Sequence, residues 1–206
     1  RNTDAVSDVE RHRAYRETRA WQWRTLMHYA KPTIAMVHGY CFGGAFTPLI
    51  CCDLAVTADD ATYGLSEINW GIIPGGVVSK AIATVMGDRE AMYYVMTGEK
   101  FDGVRAKELG LVNESVPADR LVERTRELAK VLLEKNPTVL RQARMAYKYS
   151  RYLDWEQAAE YLTAKGDQTT FVDTEKGRDK GMKQFLDEKT YKPGLGHYHR
   201  DAETEQ

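Results

Sequence analysis

The chain has 206 residues, enough for one domain with a real core, and 43% apolar with 29% charged side chains is a globular composition. Lysine and arginine number 29 against 30 acidic residues, a formal net charge of −1, so no whole-molecule field favours nucleic acid or an anionic membrane. A small-molecule substrate or a protein partner is the expectation, with neither nucleic acid nor membrane as a partner.

The apolar run 34–52 is interrupted by His38, Gly39, Gly43, Gly44, Thr47 and Pro48, which would break a spanning helix, so it reads as soluble core. The three cysteines are Cys41, Cys51 and Cys52. Two are adjacent and none forms a C-x-x-C, a poor disulfide framework that suits buried thiols in a reducing, cytoplasmic compartment. The chain opens at Arg1 with no signal-peptide pattern, and is read as a fragment.

Ser7-Asp8-Val9-Glu10 has the form of a capping box, and Trp23, Leu26, Met27 and Ala30 keep helical spacing, which predicts a helix over 8–30. Arg11, Arg13 and Arg24 point away from that stripe, while Arg16 and Arg19 extend its line, so the first half is expected to be less buried. A solvated face or contact with an anionic ligand tail would each account for these arginines. Lys31-Pro32 stops the helix. Residues 33–37 form an apolar run without clean alternation, as in a strand buried on both faces of a parallel or mixed sheet. His38-Gly39 turns the chain out, with His38 read as a hydrogen-bonded structural residue rather than a base.

Gly43-Gly44 then opens a helix that is apolar nearly all round, so it must be buried. Pro48 is tolerable only in its first turn, which places the start near Gly44. Glycine there leaves backbone N–H groups open to a ligand, although a purely structural tight turn explains the pair equally well. Residues 54–56 read as a second strand, and Glu67 follows on a short loop, either as a surface or capping carboxylate or as a catalytic one. Helices are predicted over 77–86, ending at Gly87, and over 89–96, ending at Gly98, both with glycine in the left-handed C′ place. A helix over 106–109 ends at Gly110, followed by a strand at 111–112.

Asp119 begins a helix closing at Asn136-Pro137, and further helices run over 138–152, 154–170 and 174–187 before an aromatic, basic tail over 191–200. His197-x-His199 lacks a third ligand at useful spacing, so no metal is expected. Three visible strands are few for the size, and missing sheet upstream is inferred.

The stretches KPTIAMVHGYCFGGAF, CCDLAVTADDATYGLSEINWGIIPGG and DTEKGRDKGMKQFLDEKTYKPGL resemble the crotonase, or enoyl-CoA hydratase/isomerase, superfamily. Trp21-Gln22-Trp23, residues 65–71, residues 133–137 and residues 192–195 look like the wording of its hydratase-lyases of hydroxycinnamoyl-CoA. The resemblance implies an α/β, ClpP/crotonase-like ββα spiral core with a C-terminal helical trimerisation region, divided here as 1–136 and 137–206.

It implies Gly44 N–H as one of two oxyanion donors and Glu67, twenty-three residues later, as the acid/base. Gly43, Thr47, Trp70 and Gly75 are implied to bind substrate. Two-glutamate hydratases carry a second carboxylate at the position of Thr47, so the single-glutamate arrangement implies hydration followed by carbon–carbon cleavage. The substrate would be a 4-hydroxycinnamoyl-CoA thioester, with coenzyme A part of the substrate, no separate cofactor, and a homotrimer or hexamer as the assembly. The second oxyanion donor and the adenine pocket are implied to lie outside this chain. A tyrosine that meets the substrate phenol in such enzymes is replaced here by Thr163. An ordinary enoyl-CoA hydratase or isomerase, or a non-catalytic scaffold of the same fold, are the alternatives.

Overall fold

A computed structural model describes residues 7–190 and Arg200. The capping box is present: the Ser7 side chain accepts from Glu10 N–H while the Glu10 carboxylate accepts from Ser7 N–H, opening α1 (Asp8–Ala20). Residues 8–18 are exposed, as the arginine pattern implied. The helix expected over 8–30 runs unbroken over 8–28 but changes type within it. A π-turn, Trp21–Thr25, separates α1 from the short α2 (Leu26–His28). The wider turn shifts the phase of the apolar stripe, so Trp23, Leu26 and Met27 are half-buried and Ala30 is exposed.

After Pro32 come β1 (Ile34–Val37) and β2 (Tyr40–Phe42), then a 3-10 turn, Gly43–Ala45, leading into α3 (Phe46–Cys51). Pro48 lies in the first turn of α3, and Phe46, Thr47, Leu49 and Cys51 are buried, as the apolar sequence requires. Next are β3 (Leu54–Ala58), β4 (Thr62–Gly64) and a 3-10 turn, Ser66–Trp70, which carries Glu67. Then follow α4 (Val78–Ile82), α5 (Asp88–Thr97), β5 (Lys100–Phe101), α6 (Gly103–Glu108) and β6 (Glu114–Val116). The rest is helical: α7 (Leu121–Leu133), α8 (Pro137–Ser150), α9 (Trp155–Val172) and α10 (Gly177–Met182), continued by a π-turn, Lys183–Asp187.

The strands form two three-stranded sheets, β1-β3-β6, parallel throughout, and β2-β4-β5, in which β2 and β4 are parallel and β5 is antiparallel. The strand expected to be buried on both faces is β1, but β1 lies at an edge and Met36 is exposed. The central strand β3 has that burial instead, with Ala55 to Ala58 all buried. Asp53 holds the two in register: its carboxylate accepts from Thr33 N–H at 2.7 Å and from the Thr33 hydroxyl at 2.9 Å, one residue before Ile34 pairs with Leu54.

Other expectations are corrected locally. The strand placed at 111–112 begins instead at Glu114, because Asn113 occupies the ladder position beside Ala55, accepting its N–H at 2.8 Å and donating to its carbonyl at 2.9 Å. Gly87 does not close a helix in the left-handed region; with φ −64° it is the N-cap of α5. Gly98 and Gly110 do have positive φ, +65° and +74°. His38 is exposed. The sheet inventory also exceeds the three strands read from sequence, since β2, β4 and β5 have two or three residues each and give no periodic signal.

The chain packs as two compact units, Arg1–Arg126 and Glu127–Gln206, where the sequence reading set its division at 136/137. The core of the first unit centres on Phe46, Tyr63 and Leu65, each fully buried, with Tyr63 stacked on Phe101 at 5.3 Å. Burial pushes the Cys41 thiol up to about 12 and so keeps it protonated, in line with an inert core cysteine. In the second unit, α8 packs on α9, with Tyr149 edge-on to Tyr161 at 6.1 Å. Asn136 caps α8 by accepting from Val139 N–H and donates to Asp173 Oδ1, both at 2.9 Å. The His197-x-His199 pair and most of the tail lie outside the described residues.

Candidate active site

The sheet β2-β4-β5 builds the site by its directions. Because β2 and β4 run parallel with Phe42 opposite Gly64, the chain leaves both strands at the same end, where Gly43 and then Glu67 follow. The antiparallel β5 enters at that end, so Gly98, two residues before Lys100, arrives there too. Three segments far apart in sequence therefore meet at one edge.

Gly43 is buried and has φ +49°, a conformation that favours glycine. A Cβ at Gly43 would stand 2.7 Å from Glu67 Oε1 and 3.1 Å from its Cδ, so the carboxylate lies directly against the glycine Cα. The other oxygen, Oε2, is buried and has no hydrogen-bond partner among the described residues. Buried polar atoms in folded proteins are nearly always paired, and the exceptions concentrate at sites of chemistry. Beside this pair Gly44 is exposed, and a Cβ there would meet nothing within 4 Å. Backbone of that kind is open to a ligand.

The supporting strands are shaped for the same approach. A Cβ at Gly64 would come within 2.5 Å of Phe42 Cε1, so the Phe42 ring occupies the face of β4 that a side chain would need. Thr47, only 2% exposed, sits in the first turn of α3, and any part its hydroxyl plays is played from inside the core. Trp70 closes the 3-10 turn at 78% exposed, and Gly71 reverses the chain with φ +70°. Gly75 is exposed in the turn into α4, its carbonyl accepting from Val78 N–H at 3.2 Å. The geometry thus brings Gly43 and Glu67 into direct contact, with Gly44 adjoining, and leaves Trp70 and Gly75 on the exposed loop that follows.

Thr163, where the resemblance implied the replacement of a phenol-binding tyrosine, is exposed on α9, and its hydroxyl donates to Ala159 O at 2.9 Å. Its polar group is engaged by its own helix. No group of three or more His, Cys, Asp or Glu among the described residues could hold a metal ion.

The resemblance paired Glu67 with Gly44, whereas the residue the carboxylate lies against is Gly43. The family itself is decided by a comparison with protein families: the enoyl-CoA hydratase/isomerase model matches residues 3–193. The chain belongs to the enoyl-CoA hydratase/isomerase family. Within known members of that family, the chain is 58% identical over 200 residues to a hydroxycinnamoyl-CoA hydratase-lyase of Pseudomonas fluorescens, covering 97% of this chain and 72% of that protein. It is 29% identical over 174 residues to a 2,3-dehydroadipyl-CoA hydratase of Escherichia coli, covering 84% of this chain and 67% of the relative. Among solved structures, an enoyl-CoA hydratase from Mycobacterium smegmatis superposes with a TM-score of 0.80 at 22% identity, over 90% of this chain and 70% of that one. That likeness establishes the enoyl-CoA hydratase/isomerase fold here.

Residue-by-residue reading from sequence did not find the pairing of Gly98 with the turn that carries Glu67. Gly98 was legible as a helix stop, but nothing local says which side chains it will meet.

Proposed function

We propose that this protein hydrates the double bond of 4-hydroxycinnamoyl-CoA thioesters, such as feruloyl-CoA, and then cleaves the adduct to an aromatic aldehyde and acetyl-CoA. The observation that carries the reading is the Glu67 carboxylate lying against Gly43, with one oxygen buried and unpartnered, beside exposed Gly44. The 58% identity to a hydratase-lyase supports the choice of reaction.

In this mechanism Gly44 N–H donates to the thioester oxygen and stabilises the charge that develops there. Glu67 takes a proton from water as the water oxygen bonds to the β-carbon, and returns it to the α-carbon. Glu67 then takes the proton of the new β-hydroxyl, the Cα–Cβ bond breaks, and the aldehyde forms while its electron pair leaves as the acetyl-CoA enolate. Protonation of that enolate by Glu67 restores the carboxylate. One water is consumed and no redox partner is needed. Coenzyme A enters as part of the substrate, and Gly43, Thr47, Trp70 and Gly75 bind or border it.

An assembly of three or six copies through the C-terminal helices, in the cytoplasm, completes the proposal. The assembly is supported by the family resemblance, and the compartment by the spacing of Cys41, Cys51 and Cys52, a poor disulfide framework. No helix among the described residues is long and apolar enough to cross a membrane.

The test is turnover of feruloyl-CoA, with aldehyde and acetyl-CoA quantified separately from the hydrated thioester, in the parent protein and in Glu67→Ala. Aldehyde formation by the parent and its loss in the variant are expected. Full aldehyde release by Glu67→Ala would sink the assignment. Hydration without aldehyde would instead favour a plain hydratase, the reading that the Escherichia coli relative supports.

A further inference from the structure

The 3-10 turn Ser66–Trp70 is seated through the residues just beyond Glu67. Asn69 Nδ2 donates to the Gly98 carbonyl at 3.4 Å, long for such a bond, so the bond alone does not hold the turn. Contact does more. A Cβ at Gly98 would come within 2.6 Å of Asn69 Nδ2, 2.9 Å of Ile68 Cγ2 and 3.0 Å of Asn69 Cγ. Two consecutive side chains of the turn press on one bare Cα.

Neither partner is free to drift. Gly98 ends α5 with φ +65°, its N–H donating to Tyr94 O at 3.0 Å. Tyr94 is buried with its ring 4.5 Å from Phe101, which is stacked on Tyr63 of β4, the strand that leads into the turn. Inside the turn, Glu67 O accepts from Ile72 N–H and Ile68 O accepts from Gly71 N–H, each at 3.2 Å, so 67–72 is tied together as one turn that includes Asn69. Tilting that piece away from Gly98 swings the Glu67 carboxylate relative to Gly43.

We propose that Asn69 and Gly98 form a latch that positions Glu67, with Asn69 acting through the turn and touching no reacting atom. This rests on Glu67 being the acid/base. A misplacement of about 1 Å in a catalytic group costs on the order of a hundredfold in rate. Substrate contacts made elsewhere are untouched by the latch, so the loss falls on kcat and not on KM.

The experiment is steady-state turnover of feruloyl-CoA by the parent protein and by Glu67→Ala, Asn69→Ala, Gly98→Ala, the Asn69→Ala/Gly98→Ala double variant and Gly110→Ala. Gly110 is the control: it ends α6 with φ +74°, the same backbone strain, and its nearest neighbour to a Cβ is Val85 O at 3.4 Å. Asn69→Ala and Gly98→Ala are expected to lose about ten- to a hundredfold in kcat with KM within about twofold. The double variant should be no slower than the slower single one, because both changes break one contact. Gly110→Ala should lose thermal stability and keep kcat.

Unchanged kcat in Asn69→Ala and Gly98→Ala overturns the latch. So do fully multiplicative effects in the double variant, or a Gly110→Ala variant as slow as Gly98→Ala. If Gly98→Ala does not fold, Asn69→Ala, which introduces no backbone strain, decides alone. An inactive Glu67→Ala beside a fully active Asn69→Ala removes only the latch, whereas an active Glu67→Ala removes the acid/base reading beneath it.

Discussion

The Glu67 carboxylate occupies the place where any side chain at Gly43 would begin: its Oε1 is 2.7 Å from the position of a Gly43 Cβ. The contact joins a residue that must be glycine for two separate reasons, space and φ +49°, to a carboxylate with a buried oxygen that has no partner among the described residues.

Gly43→Ala is therefore expected to fail twice. A non-glycine residue in the left-handed region costs about 1–3 kcal/mol, which a fall in Tm would report. The added methyl also displaces Glu67, so kcat should fall by about a hundredfold even at temperatures where the variant is fully folded. Parent-like kcat in a folded Gly43→Ala would show that the contact has no part in turnover.

Glu67 should be more valuable to the reaction than to the fold. An unpaired buried polar atom costs stability rather than supplying it, typically about 1–3 kcal/mol. Glu67→Ala is thus expected to lose about 10²- to 10⁴-fold in turnover without any drop in Tm. A clear loss of Tm with turnover retained would mean that the carboxylate serves the fold.

Trp70 offers the opposite separation of effects. At 78% exposed it contributes little to packing, so Trp70→Ala should change stability by under about 0.5 kcal/mol. If the loop after Glu67 borders the acyl-CoA, KM should rise by about tenfold, the value of part of an aromatic face. Unchanged KM in a binding series with shorter and longer acyl groups would remove Trp70 from the substrate's surroundings.

A pH-dependent term is expected from Glu114, which meets Arg124 through two bonds, Nε to Oε2 at 2.6 Å and Nη2 to Oε1 at 2.8 Å. The Arg124 hydrogen bonds hold the Glu114 carboxyl below its usual range, against the opposing effect of partial burial. A depressed folded-state pKa means that the stabilisation is complete above the unfolded value of 4.5 and is lost as pH falls through the lower folded value. Glu114→Gln should therefore be less stable than the parent at pH 7, by under about 1 kcal/mol for a pair still partly reached by solvent. The two should converge in acid below that window. Denaturant titrations at pH 7 and in stepped acid measure it, and a gap that persists unchanged in strong acid would mean that the charge pair is not its source.

Several parts of this protein are written locally and were legible as such. The Ser7/Glu10 box, the stop at Gly98 and the limit that Pro48 sets on α3 depend on residues within a turn of one another. The all-apolar helix α3 announced its own burial. Other features have no local signature. Trp21–Thr25 contains nothing that separates a π-turn from an α-turn. The strands β2, β4 and β5 are too short for a period, and β1 was misjudged because burial on both faces depends on which strand becomes central.

The candidate site divides in the same way. Glu67 and the glycine pair were singled out by the family resemblance, since locally a structural tight turn and a surface or capping carboxylate explain them equally well. That Glu67 rests on Gly43, and that Asn69 rests on Gly98, was decided only by tertiary structure. Strand direction and register bring those backbones to one edge of β2-β4-β5, and register is set by pairing between residues more than twenty positions apart, which no local pattern encodes.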